Sequence, residues 1–178
     1  GEFRKHVGFM SKRALPILKK EKPDNMIILA DTTSALGVAL ASSKANLTMS
    51  HVEAGLRSHD TKMLEETNRI VVGHLSDYHF PPTEKAKQNL IEEGVDEDKI
   101  FVVGNTIVDS VNQNIELANK KVDMIKKLNI EKNNYFLVTA HRQENVDDKE
   151  RLSNILKGLK LVYDKYKFPV IYPMHPRT

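Results

Sequence analysis

Cysteine is absent from the 178 residues, so neither a disulfide framework nor a thiolate metal site is available. No apolar run reaches the roughly 18 residues of a membrane-spanning helix. The opening residues, with Glu2, Arg4 and Lys5 ahead of mixed sequence, do not read as a secretory leader. GxGxxG and GxxxxGK(S/T) are both missing, which removes the usual phosphate loops of nicotinamide-binding and Walker-type proteins. A GxSxG elbow is missing too. Without a compact ligand motif such as HExxH, a zinc reading from His51, Glu53 and His59 has little behind it. Charge is not concentrated either. The net charge is +3 and lysines alternate with acids, whereas a nucleic-acid binder gathers its basic residues into a patch. The chain opens on Gly1-Glu2-Phe3 without methionine and stops in a loop-like segment, so both ends read as cuts in a longer protein. A soluble cytoplasmic protein with no nucleic-acid or membrane partner is the expectation.

Hydrophobic residues make up 40%, enough for a sizeable core. Short apolar runs at 26–29, 48–51, 78–80, 100–103, 136–139 and 170–172 read as strands. Helical spacing fills 32–44, 64–75, 84–93, 106–119 and 148–166, with Leu152, Ile155, Leu156, Leu159 and Val162 recurring at three- and four-residue steps. An opening helix over 4–20 is expected, with a kink at Pro16. Thr83 suits an N-cap and Gly94 a stop. Strand–helix alternation of this kind predicts an α/β fold with parallel sheets. The lysine- and asparagine-rich stretch 120–134 reads as a break. Two domains follow, residues 1–105 and 106–178.

In parallel α/β folds the site lies outside the carboxyl ends of the strands. Asp31, Glu53, Asn105 and His141 each follow a strand run. Each also has a plain structural reading. Asp31 or Thr32 suits a cap for the next helix. Glu53 has Arg57 nearby as an ion-pair partner. Glu65 and Glu66 suit the positive end of a helix dipole, and Arg69 stands at i+4 and i+3 from them. His141 and Arg142 fit either a polar connection or an anion site.

The string His51-Val52-Glu53-Ala54-Gly55-Leu56-Arg57, followed by Glu65-Glu66-Thr67-Asn68-Arg69, resembles the non-hydrolysing UDP-N-acetylglucosamine 2-epimerases. The likeness continues through Phe80-Pro81-Pro82-Thr83-Glu84, Gly104-Asn105-Thr106-Ile107-Val108-Asp109, Thr139-Ala140-His141-Arg142-Gln143-Glu144-Asn145 and Tyr172-Pro173-Met174-His175-Pro176, in the family's order. The hydrolysing relatives carry a different string where this chain has residues 51–57.

The resemblance implies a GT-B architecture, with two Rossmann-like domains facing each other across a cleft. Residues 1–105 would be the later part of the N-terminal domain. Residues 106–178 would be a linker helix and the start of the nucleotide-binding domain. It implies epimerisation at C2 of UDP-N-acetylglucosamine through elimination and re-addition of UDP, without a cofactor or metal, in a full-length homodimer serving polysaccharide biosynthesis. Asp31, Glu53 and Glu65 match the family's catalytic acids and His141 its histidine near the diphosphate. Arg69, Arg142 and Asn105 would contact substrate. The alternative in the same architecture is a glycosyltransferase using a UDP-sugar; a non-catalytic nucleotide-sugar sensor is a third reading. Two positions depart from the family pattern: Ala30 replaces the usual glycine before the aspartate, and Leu64 the usual proline before the paired acids.

Overall fold

The computed structural model describes residues 2–176 and 178. Gly1 and Arg177, near the two ends read as cuts, lie outside the described residues. The chain divides into two compact units, up to 112 and from 113 onward.

In the first unit, α1 (Glu2–Glu21) precedes β1 (Asn25–Leu29), α2 (Thr33–Lys44), β2 (Thr48–Val52), α3 (Leu64–Leu75), β3 (Tyr78–Phe80) and α4 (Glu84–Glu92). The strands form a parallel sheet in the order β1-β2-β3. Leu29 pairs with Val52, and Val52 with Phe80, so the three strands finish level with one another. Ile28, Leu36, Ala39, Met49 and Val72 form the core between sheet and helices. α2 is lined with small residues because α1 crosses it closely: a Cβ on Gly37 would lie 2.6 Å from that of Met10. Thr83 caps α4 by accepting from the Ala86 amide at 3.2 Å, and Gly94 takes φ +88° just beyond its end.

Residues 100–103 do not form the expected strand. Ile100 makes one isolated parallel bridge to His79. Phe101 N–H donates to the His79 carbonyl at 2.8 Å and Val103 N–H to that of Pro81 at 3.2 Å. The segment therefore runs along β3, but Pro81 and Pro82 have no N–H to return, and the ladder cannot build.

The helix α5 (Thr106–Lys121) carries the chain out of the first unit. The second unit contains α6 (Met124–Lys127), β4 (Phe136–Leu137), α7 (Gln143–Val146), α8 (Lys149–Tyr166) and β5 (Val170–Ile171). The strands β4 and β5 pair in parallel and are shorter than the runs that foretold them. The expected break at 120–134 contains the one-turn α6, and α7 is a single turn inside what reads as a loop.

Candidate active site

The carboxyl ends of β1 and β2 carry the first two candidates. Both strands leave the sheet through a left-handed corner, at Ala30 (φ +68°) and at Glu53 (φ +64°). Such values are uncommon outside glycine and mark positions the surroundings must enforce. Ala30 N–H donates to the Val52 carbonyl at 3.5 Å and Glu53 N–H to that of Phe80 at 3.1 Å. Asp31 and Glu53 thus leave neighbouring strands just beyond their last paired residues.

The loop after Glu53 is fastened to α4. Gly55 has φ +74°, and a Cβ there would lie 2.1 Å from the Ala86 carbonyl oxygen, so only glycine fits. Asn89 Nδ2 donates to the Gly55 carbonyl at 2.8 Å. Arg57 is not the partner of Glu53. Its guanidinium is buried and donates through Nε and Nη2 to the two oxygens of Glu93, at 2.7 and 2.6 Å. The Glu53 carboxylate has no hydrogen bond or ion pair among the described residues, and neither does that of Glu65, which is exposed in the first turn of α3.

α3 grips Asp31 twice. Thr32, not Asp31, caps α2, accepting from the Ala35 amide at 3.1 Å. The Asp31 carboxylate is thereby left to meet Arg69, with Nη2 2.5 Å from Oδ2. Asn68 Nδ2 donates to the Asp31 carbonyl at 2.7 Å. Arg69 also donates through Nη1 to Glu66 at 3.1 Å. Glu66 is buried and accepts from the Ser58 and His59 amides at 2.9 and 2.8 Å and from the Ser58 hydroxyl at 3.0 Å. Burial alone would raise its pKa, but these N–H and O–H donors and Arg69 prevail and hold it at about 2.

His51 faces the interior of β2 beside its register partner His79 and is 1% exposed. Burial and the neighbouring His79 lower its pKa to about 4, so the ring is neutral near pH 7. Among the described residues no group of three His, Asp or Glu side chains is disposed to hold a metal ion, so His51, Glu53 and His59 do not assemble as zinc ligands.

Asn105 opens α5: its Oδ1 accepts from the Ile107 amide at 3.0 Å, a local cap. In the second unit His141 and Arg142 follow β4 and are exposed. The His141 ring lies 6.0 Å from that of His175, and Tyr172 donates its hydroxyl to the Ala140 carbonyl at 2.6 Å, fixing the backbone beneath them. Arg142 Nη1 lies 3.8 Å from Glu144.

A family model described as UDP-N-acetylglucosamine 2-epimerase matches residues 2–178. The chain belongs to that family. It is 46% identical to the UDP-N-acetylglucosamine 2-epimerase of Methanocaldococcus jannaschii, covering 100% of this chain and 49% of that protein. It is 37% identical to the UDP-2,3-diacetamido-2,3-dideoxy-D-glucuronate 2-epimerase of Pseudomonas aeruginosa, over 97% of this chain and 48% of the relative. The fold superposes with TM-score 0.89 on the crystal structure of the M. jannaschii enzyme in complex with UDP-GlcNAc and UDP, over 100% of this chain and 49% of that one. Against the Neisseria meningitidis UDP-GlcNAc 2-epimerase bound to UDP-GlcNAc the TM-score is 0.88 at 32% identity, over 98% and 48% of the two chains. The chain therefore spans about half the length of these relatives, whose architecture is GT-B.

The 2-epimerase pattern gives both departures a structural meaning. Ala30 occupies a left-handed position, which accounts for glycine as the usual residue there. Leu64 is the first residue of α3 and follows Met63 at φ −75°, ψ 126°, the backbone that proline demands of its predecessor.

The first unit combines a carboxylate clamped by a cation with two that have no partner among the described residues. Asp31 is anchored in place by Arg69 and Asn68, whereas the two without a partner are Glu53 and Glu65. Sequence patterning missed Glu66, Asn68, Ser58 and Glu93. Only the acidic pair in Glu65-Glu66 and the strand-end rule pointed near them, because each acts through a partner distant in the chain.

Proposed function

We propose that the full-length protein interconverts UDP-N-acetylglucosamine and UDP-N-acetylmannosamine. A carboxylate takes the C2 proton as the C1–O bond to UDP breaks, leaving 2-acetamidoglucal and UDP. UDP then adds back at C1 while an acid returns a proton to the other face of C2. The sugar is neither oxidised nor reduced.

Catalysis is assigned to Asp31, Glu53, Glu65 and His141. Arg69, Arg142 and Asn105 are assigned to substrate, the two arginines meeting the charge that grows on the departing diphosphate. The observation that carries the reading is the pair of carboxylates without a partner among the described residues, Glu53 just beyond the end of β2 and Glu65 in the first turn of α3, in the same unit as the clamped Asp31. A ligand-free acid at such a corner is what proton removal needs; a glycosyltransferase would need an acceptor pocket instead. Residues 1–105 are taken as the later part of the N-terminal domain and 106–178 as the linker helix and start of the nucleotide-binding domain. We place the enzyme in the cytoplasm as a homodimer supplying an N-acetylmannosamine donor for polysaccharide synthesis. No helix among the described residues is long and apolar enough to cross a membrane.

The test is proton NMR of UDP-N-acetylglucosamine with full-length protein in deuterated water. Loss of the C2 proton signal without any acceptor, abolished in Glu53→Gln, is expected. Transfer seen only when an acceptor is added would overturn the reading. The Pseudomonas relative's diacetamido uronate offers a second substrate with the same C2 chemistry, and faster exchange on it would reassign the sugar.

A further inference from the structure

The acids at the start of α3 have separate fates, and the second has no place in the chemistry above. Glu66 is 2% exposed, so a sugar nucleotide does not reach it. Its oxygens are occupied. Oε1 accepts from the His59 amide at 2.8 Å. Oε2 accepts from the Ser58 amide, the Ser58 hydroxyl and Arg69 Nη1, at 2.9, 3.0 and 3.1 Å. An acid held ionised by four donors has no proton to deliver and no lone pair facing substrate. A dipole role at the helix start accounts for none of these contacts.

Each donor leads instead to a candidate catalytic group. Ser58 and His59 lie on the loop that begins at Glu53, and that loop is tied at its other side to α4 through Gly55 and Arg57. Arg69 is the cation that holds the Asp31 carboxylate, and Asn68 beside it holds the Asp31 carbonyl. One buried carboxylate thus sits between the loop that carries one catalytic acid and the arginine that orients another.

We propose that Glu66 is a positioning residue of the epimerase, a clasp that locks the 53–60 loop and Arg69 together and so fixes Glu53 and Asp31 relative to each other. The kinetic part rests on the epimerase reading; the clasp itself does not. Glutamine at 66 presents an N–H₂ where one arm needs an acceptor, so one connection must open while volume is kept.

The experiment uses the full-length protein and two readouts. By hydrogen exchange, the amides of Ser58 and His59 should exchange slowly in the wild type, and at least one of the two about 10-fold faster in Glu66→Gln. In C2 deuterium exchange, Glu66→Gln should lower kcat about 10- to 100-fold and leave KM within about threefold, as expected for lost orientation without lost contact. Combined with Arg69→Lys, it should be no slower than Arg69→Lys alone, because both act through one link. Ser58→Ala, which removes the hydroxyl's bond to Glu66 and the one it accepts from the Asp60 amide but no charge, should lower kcat about two- to fivefold and stands in if Glu66→Gln does not fold. Unchanged kcat in these variants, or losses that multiply in the double variant, overturns the positioning role. Equal amide protection in wild type and Glu66→Gln overturns the clasp. A wild type that exchanges no C2 proton sinks the epimerase reading alone, since amide protection still decides the clasp.

Discussion

Arg69 on α3 closes on Asp31, just beyond the end of β1, with Nη2 2.5 Å from Oδ2, while its other terminal nitrogen holds Glu66. The planar fork spans two carboxylates that face different elements. Lysine has one ammonium group and cannot hold both positions at once. Arg69→Lys in the full-length protein is expected to lower kcat by roughly 100-fold, the scale of a misplaced catalytic group. Its thermal midpoint should fall by only a few degrees. Deuterium incorporation at C2 and a melting curve on the same sample check the pair of outcomes; wild-type kcat would show that Asp31 needs no clamp.

Ala30 carries a cost that glycine would not. At φ +68° its Cβ crowds the backbone, a penalty of about 1–2 kcal/mol. Part is returned because alanine restricts the unfolded chain. Ala30→Gly should therefore stabilise the protein by up to about 1 kcal/mol, raising the midpoint by about 2–4 °C. A lower midpoint would mean that the corner is not left-handed in solution.

The start of α3 accepts proline. Leu64 is half exposed, lies at the first helical position and follows an extended residue. Proline there loses no intrahelical bond and is already matched in φ. Leu64→Pro should stabilise by about 0.4–1 kcal/mol through the unfolded chain, with kcat within about twofold of wild type because Glu65 stays in place. Thermal and kinetic assays on one preparation decide it.

The buried fork of Arg57 on Glu93 gives a larger effect. The Arg57 side chain is 2% exposed and that of Glu93 25%. Glu93→Ala strands a guanidinium in the interior, and removing one partner of such a pair costs about 3–5 kcal/mol. Urea unfolding should show that loss, and Gly55, packed on the same helix, should become more accessible to amide exchange. A loss below about 1 kcal/mol would place the pair in the class of exposed ion pairs.

The strand-end acids were legible because the alternation of apolar runs and helical spacing marks where parallel strands stop. Asp31, Glu53 and His141 follow from that rule without any motif. What escaped was rotation and long-range cover. Glu65 lies on the stripe of Asn68 and Val72, three residues before the first and seven before the second, yet is exposed. Glu66 is off that stripe and buried, because residues 58 and 59 fold over it. No local pattern encodes that cover. Residues 100–103 misled for the opposite reason: their apolar, β-branched run is strand-like, but the prolines opposite withhold the bonds a strand needs.

Two buried groups set the acid sensitivity of the first unit, in adjoining pH ranges. His51 has a folded pKa of about 4, below its ordinary 6.5, chiefly through burial and then through His79, with Arg57 adding to the effect and Asp31 and the Ala30 carbonyl opposing it. The unfolded chain therefore binds the proton first as pH falls, and stability present above about 6.5 declines down to about 4. Glu66 has a folded pKa of about 2 against 4.5, so its contribution is complete above about 4.5 and is lost as pH falls through 2. Each shift corresponds to about 3 kcal/mol by linkage. His79, also lowered by burial, adds to the His51 range with the same sign. Unfolding free energy measured from pH 8 to pH 3 should hold down to about 6.5 and fall below it. His51→Gln should flatten the upper part of that slope and Glu66→Gln the lower part. A wild-type stability independent of pH between 6.5 and 4 would mean that His51 is not held neutral between the strands.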